Sequence, residues 1–242
     1  MNLEIQKVSL SIQSRLIVNN VSITVNPGEV VGLMGPNGAG KTTTFNLAVG
    51  NLKPDKGKIF MNGKQITNLS LPKRARLGLG YLTQEASIFR DLTVKDNIDL
   101  ALQNSSLSSV AIRNRREKII NQFNLNKFVD NYGFQLSGGE RRRCEIARAL
   151  SVGRKGPKYL LLDEPFAGID PLAVGDLKKL IIKLSNAGVG ILITDHNVRE
   201  TLLITNKSYV LSEGKILAYG TSNELAENTI VKKYYLGDNF QL

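Results

Sequence analysis

Short apolar runs alternate with longer stretches of mixed polarity along this chain. Residues 30–34 (Val-Val-Gly-Leu-Met), 159–162 (Tyr-Leu-Leu-Leu) and 190–194 are runs of strand length with almost no polar break. Strands of that kind are buried on both faces, as in parallel sheets whose crossovers are helices. Helical patterns separate them: 42–49, with Gly50 placed to end the helix, and 172–186. Residues 3–31 read instead as short alternating strands, with turns at Asn19-Asn20 and at Asn26-Pro27-Gly28. Asn62-Gly63 between apolar residues predicts a hairpin. A further strand is expected at 79–82. Residues 86–155 are polar and helical in pattern, with no strand, and are expected to form an inserted helical subdomain. Residues 208–211 and 215–219 flank Glu213-Gly214 as a late hairpin, and Thr221 with Glu224 has capping-box spacing for a last helix.

The 242 residues, 42% apolar and 22% charged, suit one α/β domain with an insertion and exclude disordered and fibrous classes. No apolar stretch approaches the roughly 20 residues of a membrane helix. The opening MNLEIQKVSL lacks a basic segment followed by an apolar block, so no signal peptide is expected. One cysteine, Cys144, excludes an intramolecular disulfide and a cysteine metal cluster. A cytosolic chain is expected. The net charge of +11 suits polyanionic partners without choosing among them. Its short basic clusters, Lys73-Arg74-Ala75-Arg76, Arg113 with Arg115 and Arg116, and Arg141-Arg142-Arg143, are expected to be solvated helix faces. No aromatic stacking platform accompanies them, so no nucleic-acid partner is expected.

Three segments carry chemistry. Gly35-Pro36-Asn37-Gly38-Ala39-Gly40-Lys41-Thr42 fits G-x-x-x-x-G-K-[ST] between an apolar strand and a helix. Its glycines let backbone N–H groups turn around a phosphate at a helix N-terminus. Lys41 is expected to reach the β- and γ-phosphates, Thr42 to bind Mg²⁺, and Thr43 to contact the α-phosphate side. Asp163-Glu164 follows an apolar strand, at the strand end where open α/β sheets bind ligands. Asp163 is expected to hold Mg²⁺ through its water shell and Glu164 to accept a proton from the attacking water. Ser137-Gly138-Gly139-Glu140 opens a helical run with capping-box spacing, and its two glycines expose N–H groups for a second phosphate contact.

These segments, with Gln84, Gly168-Ile169-Asp170 and His196, occur in the order found in the ATPase subunits of ABC transporters, and the chain is identified by resemblance as such a subunit. The resemblance covers nearly the whole chain. It implies a RecA-like P-loop core with an antiparallel β subdomain (residues 1–85 and 156–220), a helical subdomain (86–155) carrying the signature, and a C-terminal helix and tail (221–242). It implies ATP and Mg²⁺, and a head-to-tail homodimer in which Ser137, Gly138 and Gly139 of one copy close on ATP held by Lys41 of the other. It further implies that His196 contacts the γ-phosphate, that Gln84 reaches Mg²⁺ and the water, and that Asp170 communicates between sites.

Two departures from the family pattern stand out. Ile12 occupies the position of the aromatic that stacks on adenine. Thr83 replaces a proline before the glutamine, which implies a looser loop. The stretch 152–158 is long, with no functional account. Among transporters, YLTQEASIFRDLTVKDN, LSGGERRRCEIARAL, DEPFAGIDP, ITDHNVRETL and the terminal YLGDNFQL resemble the ATPase of lipopolysaccharide export. Branched-chain amino-acid importers and non-transport ATPases acting on nucleic acid or ribosomes are the alternatives. Export implies two transmembrane permease subunits and a peripheral place on the cytoplasmic face of the inner membrane. Phe89 stands where the family docks its membrane subunits; a buried anchor is the other reading.

Overall fold

The computed structural model describes residues 1–105, 107–237 and 240. Of the tail match, residues 238, 239, 241 and 242 lie outside the described residues. In chain order the strands are β1 (Leu3–Ile12), β2 (Arg15–Val25), β3 (Val30–Met34), β4 (Lys56–Met61), β5 (Lys64–Gln65), β6 (Leu79–Leu82), β7 (Tyr159–Asp163), β8 (Gly190–Thr194), β9 (Lys207–Ser212) and β10 (Lys215–Gly220). The helices are α1 (Lys41–Val49), α2 (Leu71–Arg76), α3 (Val94–Gln103), α4 (Ser109–Gln122), α5 (Gly138–Ala149), α6 (Pro171–Asn186), α7 (Val198–Leu202) and α8 (Ser222–Glu227). A short turn, Thr229–Val231, runs into a π-helical turn, Lys232–Leu236.

Two sheets result. One is antiparallel, in the order β2-β1-β4-β5. The other runs β10-β9-β3-β8-β7-β6, parallel except for the edge strand β10. The apolar runs are unbroken because this parallel sheet is covered twice. Leu160, Leu162, Ile191 and Ile193 join one core with α3, α5 and α6. Tyr159, Leu161 and Leu192 point the other way, into a core shared with α1 and the antiparallel sheet. The period of two along each strand divides the same segment between both cores. Among the described residues no helix is long and apolar enough to cross a membrane.

One expected turn is misplaced. Asn19-Asn20 lies inside β2, where the pairing with β1 slips by one residue between Val8↔Val21 and Leu10↔Val18. Asn20 takes the left-handed conformation a bulge requires, with φ 56°, and the freed Asn19 N–H donates to Gly214 O at 2.8 Å. The chain reverses instead at Gln13 and Ser14, both at positive φ.

The basic clusters are not merely solvated. Each sends one arginine inward to satisfy backbone carbonyls. Arg115, from α4, donates to Leu150 O (2.9 Å) and Val152 O (2.8 Å), and so ties down the long 152–158 loop at its start. Arg74 is 1% exposed and donates to Leu47 O, Ala48 O, Thr67 O and Leu69 O at 2.6–2.9 Å. Leu47 and Ala48 are in the last turn of α1, where carbonyls lack helical partners and a cation complements the helix dipole. Burial pushes the Arg74 pKa down to about 10, which leaves it charged at neutral pH. Arg74→Ala is expected to cost at least about 3 kcal/mol, since bonds from charged donors are worth roughly 1.5–3 kcal/mol each. Urea unfolding measures it. A loss below about 1 kcal/mol would mean that water replaces the guanidinium.

Candidate active site

A cleft of about 960 Å³ opens beyond the C-terminal ends of β3, β7 and β8. The loop Pro36 to Thr43, Gln84, Glu164 and His196 line it, with Arg15, Leu16 and Ile17 on one rim and the Ser212-Glu213-Gly214 turn beside them. The loop leaves β3 as a sharp left-handed turn. Gly35 has φ 143°, and a Cβ there would sit 2.1 Å from Leu211 O; Gly40 has φ 100°, and its Cβ would lie 2.8 Å from Ile17 O. Only glycine fits either place. Lys41 begins α1 and is buried, donating to Gly35 O (2.8 Å) and Pro36 O (3.0 Å). Burial lowers its pKa, and the charges of Glu164 and Asp163 oppose that shift.

Asp163 is the last residue of β7 and fully buried, and neither carboxylate oxygen has a hydrogen-bond partner among the described residues. Burial first, then the charge of Glu164, pushes its pKa up to about 6, while Lys41 and Arg142 pull against this. An unpaired buried carboxylate is costly unless a cation meets it. The chemistry of the two unpartnered oxygens fits a divalent ion, and the Lys41 charge acts on them, although Asp163 is not among the residues lining the cleft.

Glu164 has φ 52°, a left-handed conformation uncommon outside glycine. Three bonds hold it there, one of them from the Ala167 N–H to its carbonyl at 3.3 Å. Its N–H donates to Thr194 O at 2.8 Å, and its C=O accepts from Arg142 Nη2 at 2.6 Å. Its carboxylate reaches His196, with Oε1 2.8 Å from Nε2. The Glu164 side chain is 9% exposed and that of His196 54%, so the acid stands in the wall and the imidazole on the rim.

Not every expected residue meets at this cleft. Ile12 is exposed and is not among the lining residues; the apolar rim next to the phosphate loop is Leu16 with Ile17. The β1–β2 reversal at Gln13-Ser14 carries Ile12 away. Ser137, Gly138 and Gly139 are also absent from the lining. Ser137 caps α5 and is exposed, with Glu140 completing the capping box. Gly138 instead abuts its own chain: a Cβ there would lie 3.0 Å from Gly168 O. Asp170 caps α6, accepting from Ala173 N at 3.0 Å. The Thr83 loop is tied rather than loose. Thr83 Oγ1 donates to Glu85 O at 2.8 Å, and Thr83 O accepts from Arg142 at 3.2 Å.

Two residues of the site were not anticipated. Arg142, expected on a solvated face, is buried and donates to Thr83 O, Asp163 O, Glu164 O, Pro165 O and Glu145. Asp195 is buried between the Glu164 and His196 loops. In the same helix Cys144 is buried, and burial pushes its thiol up to about 12.

A phosphate loop after the central β3, a buried acid ending β7 and a second acid beside a histidine define a P-loop nucleoside triphosphatase. The ABC transporter family matches residues 18–167, and the chain belongs to that family. The chain is 49% identical over 240 residues, 99% of it and 98% of the relative, to the lipopolysaccharide export system ATP-binding protein LptB of Acidithiobacillus ferridurans. It is 50% identical to that of Escherichia coli K12 over 95% of both chains. An ATP-binding cassette of an ABC transporter in its ADP conformation superposes with a TM-score of 0.86 at 27% identity, covering 98% of this chain and all of the other.

Proposed function

We propose that this chain is the ATP-hydrolysing subunit of a lipopolysaccharide exporter. It works as a homodimer with two membrane permease subunits, at the cytoplasmic face of the inner membrane. One observation carries the cargo: half of all residues match lipopolysaccharide-export ATPases across nearly the full length of both chains. That favours export over amino-acid import and over action on nucleic acid.

The site supports the chemistry. Loop amides from Gly35 to Thr43 and the Lys41 ammonium bind the ATP phosphates, with Lys41 leaving its two loop carbonyls to do so. Thr42 and Asp163, with Gln84 at the rim, would hold Mg²⁺. Bound there, the ion neutralises phosphate charge. Glu164 accepts the proton of the attacking water, and His196 holds the carboxylate in line through the 2.8 Å contact. Leu16 supplies apolar contact to the base. The exposed, capped start of α5 lies outside its own chain's cleft, which supports its use by a second copy. Two ATP are then bound per dimer.

The membrane side is tested by co-purification. The tagged chain is expected to bring down two permease subunits from membranes, and the complex to release lipopolysaccharide only with ATP. Phe89 reports the contact. Its side chain is 44% exposed, not core; the Arg148 guanidinium covers one face at 4.5 Å, and Asn97 fixes its backbone. A held, exposed aromatic suits an interface anchor worth about 2 kcal/mol or more. Phe89→Ala is expected to weaken co-purification while the free subunit keeps its melting temperature and ATPase rate. Recovery of ribosomes or RNA instead of permeases would refute the transporter reading.

A further inference from the structure

Asp195 sits at the end of β8, 4% exposed, between the two loops that carry Glu164 and His196. Its Oδ2 accepts the Phe166 N–H at 2.8 Å, and its Oδ1 accepts the Asn197 N–H at 2.9 Å. Phe166 is two residues beyond Glu164, and Asn197 directly follows His196. One carboxylate thus fixes the backbone leaving each member of the pair whose side chains meet at 2.8 Å. On its other side, Glu164 is fixed by its own N–H to Thr194 O, also at the end of β8. The strained φ of Glu164 is therefore held from both directions along the chain.

The choice of residue is informative. Each of the two amides has its own carboxylate oxygen; an asparagine side chain has a single acceptor oxygen and its amide group only donates. The charge is not placed there cheaply. Burial pushes the Asp195 pKa up, its two amide bonds resist, and the charge of Glu164 adds to the rise. Asp195 in turn works against the ionised Asp163. A neutral residue would relieve this crowding but would release one loop.

We infer that Asp195 is a positioning residue for hydrolysis: it locks the Glu164 and His196 loops to each other, so that acid and imidazole keep one relative geometry through the cycle. This rests on the reading of Glu164 and His196 as the hydrolytic pair. Asp195→Asn keeps the size and one hydrogen bond, and orphans the other amide. With the full chain as its dimer, assayed well below the variant's melting temperature, kcat is expected to fall by up to roughly 10²-fold, the scale of a 1 Å misplacement, while the KM for ATP holds. Combined with His196→Ala, Asp195→Asn is expected to lose much less than it does alone, because the geometry it guards is already gone. A purely structural role predicts a lower melting temperature with kcat unchanged in the folded enzyme; that result overturns the inference. So does full additivity with His196→Ala. Near-normal turnover in Glu164→Gln counts against the general base and not against the brace, which is read from Asp195→Asn itself.

Discussion

Glu164→Gln is expected to stop turnover while leaving nucleotide binding in place. The substitution keeps the length and shape of the side chain and removes the proton acceptor. The left-handed turn at this residue is held by Thr194 O, the Ala167 N–H and Arg142, all of which bond its backbone and not its side chain. The backbone should therefore be unchanged, and so should the melting temperature. A glutamine oxygen can still face His196, so the rim geometry survives as well. Loss of general-base catalysis costs about 10²–10⁴-fold in rate. In the proposed function binding rests on the phosphate loop and Lys41, which the substitution leaves in place in the same cleft. ATP should then persist between two copies, and sedimentation with ATP should show a dimer that the wild-type chain forms only transiently. Turnover near the wild-type rate would remove Glu164 from the role of base and leave Asp163 and bound water to be considered in its place. A turnover loss together with a collapsed melting temperature would instead assign Glu164 to the fold.

The sheet was legible because its strands are short apolar runs with turn residues at their ends. Gly50, Asn62-Gly63 and the Thr221–Glu224 capping box act where they were expected. The first hairpin was not legible, because its reversal uses Gln13 and Ser14, while the asparagines that suggest a turn serve a bulge. The phosphate loop, Asp163, Glu164 and His196 could be named from sequence because contiguous motifs hold them. Their supports could not, because they come from distant segments. The buried arginines did leave a signal. Arg115 stands three residues from Ile112 and four from Ile119, and Arg142 four from Ile146 and seven from Ala149, so each lies on an apolar helical stripe. A cation on such a stripe is inward, whatever its neighbours in sequence. Ser137 is a different case: it caps α5 away from the cleft, and the phosphate contact proposed for it would be made to another copy of the chain.

Arg142→Ala is expected to damage both stability and rate, because this one fork joins the helical block to the hydrolytic strand. From α5 the guanidinium reaches Asp163 O at 3.1 Å, Glu164 O at 2.6 Å and Thr83 O at 3.2 Å, and pairs with Glu145 at 2.9 Å. Glu145 uses its other oxygen to accept the N–H groups of Ser87 and Ile88, just beyond Gln84. Arg142 and Glu145 together thus hold the segment from Thr83 to Ile88 against the strand end that carries both acids. Removing the arginine leaves Glu145 charged and 1% exposed without its partner, a change that costs about 3–5 kcal/mol. It also removes the shorter of the two bonds to the Glu164 carbonyl, leaving the 3.3 Å bond from the Ala167 N–H, so the strained turn can relax and carry the carboxylate away from His196. A displacement of about 1 Å lowers kcat by roughly 10²-fold. Arg142→Lys separates the two effects. A lysine supplies the charge that Glu145 needs, but a single ammonium cannot span five acceptors in the plane of a guanidinium. Urea unfolding should therefore show much of the stability returning, while kcat in the folded protein stays low. If kcat returns together with stability, charge alone is what Arg142 contributes. If folded Arg142→Ala hydrolyses ATP at the normal rate, Thr194 O, the Ala167 N–H and the Asp195 brace hold Glu164 without it, and the arginine serves only to join the helices to the sheet.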